Sequence, residues 1–227
     1  MGFGIGAIMD FKLGGNIWLS TGVAMDFNGA KLNYIGTNED TTSVGYLYNS
    51  SADDPIVPFA EPHPDSSIIS SYSIIRLDSR NMKVNYVNIP LLIKMKTNEI
   101  GYLTYYGQFG LNTSVNTSAR TTDGGEIVVG NSIALDDLKE LDIANEINLI
   151  KLGGIIGFGV EYNVSDATSL TFSLNYDYGF TSMTKQISKH VIEYNQKNLT
   201  GYTPVYQAFT GQKNIPHAIR LTIGVLF

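Results

Sequence analysis

Ala218–Phe227 reads AIRLTIGVLF. Ile219, Leu221, Ile223, Val225 and Phe227 are large and apolar, and the residues between them are mostly small or polar. Alternation with period two marks a strand with one apolar face. This strand also ends on an aromatic residue, Phe227, which reads as a barrel-assembly signal. A closing strand of this kind suits a transmembrane β-barrel, because lipid tolerates no open sheet edge.

Working outward, six more segments share the period. Phe3–Leu13 sets Phe3, Ile5, Ala7, Met9, Phe11 and Leu13 against Asp10 and Lys12, and Leu13–Asn16 reads as a tight hairpin turn. Ile17–Asn28 carries Ile17, Leu19, Val23, Met25 and Phe27 opposite Trp18, Ser20, Ala24 and Asp26. Val84–Met95, Tyr102–Val115, Leu152–Tyr162 and Ser169–Phe180 follow, the last with Leu170, Phe172, Leu174, Tyr176, Tyr178 and Phe180 on one face. Short turns alternate with long polar stretches at about 29–81, 116–145 and 182–217, so the short turns share one end and the long loops the other. Outer-membrane barrels arrange short periplasmic turns and long extracellular loops in this way. Inside the second loop, Leu135, Leu138 and Leu141 after Ser132 suggest a short amphipathic helix, and Ile68–Leu77 reads as an extension of the strand after it.

Which face points inward separates a soluble barrel from a membrane barrel. The polar face is built from Gly, Ser, Thr and Asn and would coat a soluble barrel poorly. Charged residues make up 16% of the chain, below the ~25% usual for soluble domains. By parity the charges of that face are Asp10, Asp26, Glu161 and Asp177 against Lys12, Lys94, Lys96 and Arg220. Such a balanced set is expected as an ion-pair network in a narrow lumen, where an unpaired charge is costly. Each apolar face has the length of a strand of ~9–11 residues tilted across a bilayer. The expected fold is therefore all-β: one domain over 1–227, an antiparallel up-and-down transmembrane β-barrel in the bacterial outer membrane.

Seven strands are legible, whereas bacterial single-chain barrels use an even number from eight upward. The expected repair is a first strand upstream of Met1. Net charge is −6, which argues against a nucleic-acid partner, and the absence of cysteine excludes disulfides and thiolate chemistry.

Tyr86-Val-Asn-Ile-Pro-Leu-Leu-Ile-Lys94 resembles the PorT-like outer-membrane β-barrel family of Bacteroidota, whose members typically show a Tyr-x-x-Ile-Pro-Leu-Leu-x-Lys strand after a long loop. Pro90 is otherwise unusual within a strand. Gly153–Tyr162, Leu174–Gly179 and the terminal strand extend the resemblance. It implies eight strands and an outer-membrane location, and some members belong to type IX secretion and gliding machinery.

No catalytic site is expected. His63, His190, with Ser188 nearby, and His217 fall in the long loops without an orienting acid, and they read as ordinary loop residues. Glu61, His63, Asp65, Asp53 and Asp54 lack calcium-loop spacing, so neither metal nor cofactor is expected. In a barrel of about eight strands side chains fill the lumen. Gly153, Gly157, Gly159, Gly179 and Gly224 would then make room for Tyr102, Tyr106 and Trp18. The loops carry Tyr46, Tyr48, Phe59, Tyr72, Tyr194, Tyr202, Tyr206 and Phe209, which are candidates for partner binding or for a cap over the barrel. The expected function is a non-catalytic membrane subunit or docking partner of an envelope complex, in contact with lipid and other envelope proteins. The alternative is a free-standing surface barrel whose aromatic loops bind a ligand or external partner.

Overall fold

The computed structural model of the protein describes residues 2–33, 42–48, 56–57, 73–127, 138–165, 168–185, 187–195, 206–210 and 214–226. Its wall consists of β1 (Gly2–Gly14), β2 (Ile17–Asn33), β5 (Ser73–Lys96), β6 (Leu103–Ile127), β8 (Ile150–Ser165), β9 (Thr168–Gly179) and β12 (His217–Leu226). Each pairs antiparallel with the next in that order. These are the seven strands expected from the alternation. The tight turns also fall where expected, with Gly15 at φ 52° between β1 and β2 and Gly101 at φ 67° between β5 and β6. Positive φ costs a glycine little, which is why those turns close in so few residues.

The apolar face points outward. Phe172 and Leu174 are each 41% exposed, while their neighbours Ser173 and Asn175 are buried. Phe3, Ile5, Phe109, Ile156, Ile219 and Leu221 are likewise exposed. A soluble barrel would invert this pattern; a lipid-facing wall requires it. The sheet curls until inward side chains of its two ends meet: Arg220 on β12 lies 2.7 Å from Asp26 on β2. Among the described residues no pairing joins β1 to β12. Seven alternating strands leave those two edges running in the same direction, so one further strand of opposite direction would be antiparallel to both.

Pro90 occupies an interruption. The β2–β5 ladder pairs Thr21 with Leu91 and resumes at Ala24 with Asn88. Proline has no N–H to give the ladder, and the Thr21 hydroxyl donates to the Pro90 carbonyl at 2.8 Å.

The long connections depart from expectation. The stretch 29–81 contains the end of β2, then β3 (Thr42–Tyr48), β4 (Ile56–Val57) and the first residues of β5. Residues 73–77 do extend the following strand. In 116–145, β6 continues to Ile127, and Leu138–Asp142 is a strand, β7, where a helix was expected. In 182–217 lie β10 (Ile187–Asn195) and β11 (Tyr206–Thr210). β3, β10 and β11 extend the sheet from the upper half of β5, and β7 pairs with the upper half of β6. Residues 73–85 alone represent about 40 Å of strand at ~3.3 Å per residue. The result is a lobe standing beyond the apolar band.

That lobe has its own core. Tyr46, Ile75 and Leu77 are buried together with Leu141 packed against them. Below them lie Met82, Val84, Tyr86, Ala119, Ile143 and Ile147. A register shift between Leu77 and Ser79 explains why a single alternation does not run through β5. An extra residue there moves the buried face from odd to even positions. Leu141 is held by the β6 edge, and tertiary pairing overrides its helical spacing.

Candidate functional site

Three polar layers fill the lumen. Nearest the short turns, Lys94 Nζ lies 2.7 Å from Asp10 and 3.8 Å from Glu161. Lys96 Nζ lies 2.8 Å from Glu161 and 3.4 Å from Asp10. Three strands, β1, β5 and β8, thus converge on one cluster of two cations and two carboxylates. The two ammonium groups also cap rings, Lys94 over Tyr106 at 4.5 Å and Lys96 over Trp18 at 4.6 Å. Such contacts retain charge at low desolvation cost.

The middle layer is neutral. Ser114 donates to Asn88, Gln108 donates to Asn175 at 2.6 Å, and Asn175 donates to Ser173 at 3.0 Å. The Tyr106 and Thr171 hydroxyls meet at 2.9 Å. Nearest the lobe, Arg220 bridges Asp26 at 2.7 Å and Asp177 at 2.8 Å.

The lumen charges anticipated by parity are therefore brought together, with one exchange. Lys12 is exposed beside the first turn, its ammonium 5.8 Å from the Trp18 ring, and among the described residues no carboxylate pairs with it. Its place is taken by Lys151, which lies over Tyr86 at 4.5 Å within the field of Asp26 and Asp177. Lys151 was legible: it has the parity of Gly153 and Glu161, but β8 begins two residues before the apolar run at Leu152.

Two of these glycines carve lumen space, Gly159 for Tyr106 as expected and Gly157 for Asn175 instead of an aromatic ring. A Cβ on Gly157 would enter the Asn175 amide, and one on Gly159 would enter the Tyr106 ring and sit 2.5 Å from the Phe172 carbonyl oxygen. Gly159→Val is expected to destabilise the fold by about 1–3 kcal/mol, checked by the temperature at which the compact band on an unheated denaturing gel disappears. Tyr102, by contrast, is 68% exposed at a turn and fills no lumen space. The packed lumen also predicts that planar bilayers containing the protein show no steady large conductance.

A second charged group lies in the lobe, where the sequence reading placed loops. Arg80 donates to Asp123 through Nε at 3.0 Å and through an η nitrogen at 2.8 Å, and its other η nitrogen donates to Glu146 at 3.0 Å. Arg80 is 3% exposed and Asp123 2%. The Thr121 hydroxyl also donates to Asp123 at 2.6 Å. Guanidinium's fork matches a carboxylate edge to edge, which suits this buried position.

The loop aromatics divide. Tyr46 is fully buried in a strand, a packing position rather than an open contact surface, and burial with the nearby Asp123 charge pushes its phenol up. Tyr48 is half-buried against the same cluster. Tyr194, Tyr206 and Phe209 lie on β10 and β11. Phe59, Tyr72, Tyr202 and Phe227 lie outside the described residues, as do His63, Glu61, Asp65, Asp53 and Asp54. His190 and Ser188 lie on β10. His217 stands on the outer face, its ring 4.7 Å from Tyr178 and its Nδ1 3.3 Å from the Tyr176 hydroxyl.

Residues 1–185 match a family described as outer membrane protein beta-barrel domain. No curated protein and no solved structure matches the chain.

Proposed function

The chain belongs to the outer membrane protein β-barrel domain family, and from that premise we propose that it is a non-conducting membrane anchor whose outer lobe docks another envelope protein. Its place as an integral barrel of the bacterial outer membrane follows from the family. The docking role rests on one observation: the β5–β6 ribbon carries a lobe with its own core and the buried Arg80–Asp123–Glu146 group. An ordered platform of this kind presents a fixed surface, and the filled lumen beneath it favours display over conduction.

We read the protein as non-catalytic, since His217 packs against the outer-face rings of Tyr176 and Tyr178 rather than meeting a nucleophile. Within this reading the partner is a subunit of an envelope assembly. The Tyr86–Lys94 strand favours type IX secretion or gliding machinery of Bacteroidota as that assembly. Extraction in mild detergent, sizing and mass spectrometry test the proposal. Co-elution with a defined envelope protein, lost when the lobe surface is altered, is the expected result. Migration alone under every gentle condition would sink it and leave a free-standing barrel with a lobe that binds an external ligand.

A further inference from the structure

We propose that the inward fold Ile143–Asn148 is a plug that seals the lobe-side end of the lumen against water and dissolved ions. β7 and β8 lie one after the other on the same edge of β6, both antiparallel to it. Asp142 faces Arg120 and Ile150 faces Val115, so seven residues, 143–149, stand opposite four, 116–119. A strand that must absorb three extra residues leaves the ladder. Its side chains show the direction taken: Ile143 is 3% exposed and Ile147 2%, so the excess is folded into the interior.

The fold seats on the uppermost polar layer of the lumen. Ile143 and Ile147 cluster with Val84, Tyr86 and Ala119, and Leu32 of β2 packs against the same cluster. Tyr86 is in register with Asp26, which Arg220 holds, and the Lys151 ammonium lies on its ring at 4.5 Å. An apolar layer therefore rests directly on a charged one. Both ends of the plug are fastened. At its start the Ile143 N–H donates to the Ala119 carbonyl at 3.0 Å, and Asp142 accepts from the Ala144 N–H at 2.8 Å. Arg80 donates to Glu146 at 3.0 Å. On the far side the Asn148 side-chain amide donates to the Ser182 and Thr184 carbonyls at 2.9 and 3.1 Å, and the Lys185 N–H donates to the Glu146 carbonyl at 2.9 Å. The plug thus runs from β6 to the chain leaving β9, with β2 and β5 against it. Excluding water serves the layer below, because ion pairs such as Arg220–Asp26 strengthen as the local dielectric falls. This role requires only the lobe's place outside the membrane, and it stands whether or not the lobe docks a partner.

The chain has no cysteine, so one introduced thiol reports access cleanly. Ser114→Cys places it under the plug, where Ser114 is 0% exposed and faces Lys151 in register. Ser173→Cys places a control nearer the short turns, in the row of Gly159 and Tyr106. The full chain in lipid vesicles is treated on both sides with a membrane-impermeant anionic methanethiosulfonate, and labelling is followed by intact mass. Deleting Ala144–Glu146 leaves four residues opposite four and lets β7 run on into β8. That deletion is expected to speed Ser114→Cys labelling ~100-fold and Ile147→Ala about 10-fold, with Ser173→Cys unchanged. Unheated-gel migration reports whether the barrel is intact; if the deletion loses it, Ile147→Ala carries the test. Equal labelling of Ser114→Cys with and without the plug overturns the proposal. So does equal acceleration at Ser173→Cys, which marks a loosened wall. Loss of partner co-elution would leave these rates untouched, so the docking role and the plug fail separately.

Discussion

Arg80→Met is expected to open the outer lobe while the membrane wall stays folded. The substitution keeps most of the side-chain volume but removes the guanidinium donors to Asp123 and Glu146. Asp123 is 2% exposed, so its carboxylate would be left in a low-dielectric site with the Thr121 hydroxyl still donating to it. Breaking one side of a buried ion pair typically costs about 3–5 kcal/mol, most of it the stranded charge. The effect should stay local, because Arg80 joins β5 to β6 and to the short helical turn Ala144–Glu146, above the apolar band. Limited proteolysis is expected to cut near 128–150 many times faster than in wild type, with unheated-gel migration of the barrel retained. Arg80→Met combined with Asp123→Leu should recover most of the loss, since paired apolar replacement leaves no orphan charge. Equal cleavage of wild type and the single variant would contradict this account.

Lys94→Met acts on the wall itself. Lys94 joins Asp10 on β1 to its own strand and reaches Glu161 on β8, so its ammonium ties three strands across the lumen. Its side chain is 7% exposed. Removal leaves Lys96 as the cation beside the two carboxylates among the described residues and uncovers the Tyr106 ring. A cost of about 3 kcal/mol is expected, the lower end for a buried pair because Lys96 still serves both acids. The unfolding temperature on unheated gels should fall by about 10 °C. Lys94→Met with Asp10→Leu should restore much of it. Lys12→Met is the contrast: Lys12 is exposed and pairs with no carboxylate among the described residues, so its loss should change stability by less than about 0.5 kcal/mol.

These two variants mark the boundary of what was legible. Lys94, Asp10 and Glu161 were readable as lumen charges because each sits at fixed parity against large apolar neighbours. Arg80 and Asp123 carry no such sign: their strand neighbours are polar, since that part of the sheet meets water outside and a thin core inside. The register shift beside Asp78 then changes parity within β5, so even Ile75, Leu77, Met82 and Val84 fail to form one stripe. Tyr46 looked like an available anchor for the same reason; its burial depends on strands paired from distant parts of the chain.

The sequence alone determined the wall: seven strands, their turns, an apolar face outward and a charged interior. Lipid imposes one environment along every spanning strand, so period two survives unbroken and can be read without a partner. The tertiary structure decided the lobe and the buried Arg80–Asp123–Glu146 group within it. Each of these depends on cross-strand register, a property of two strands together that neither strand's own pattern specifies.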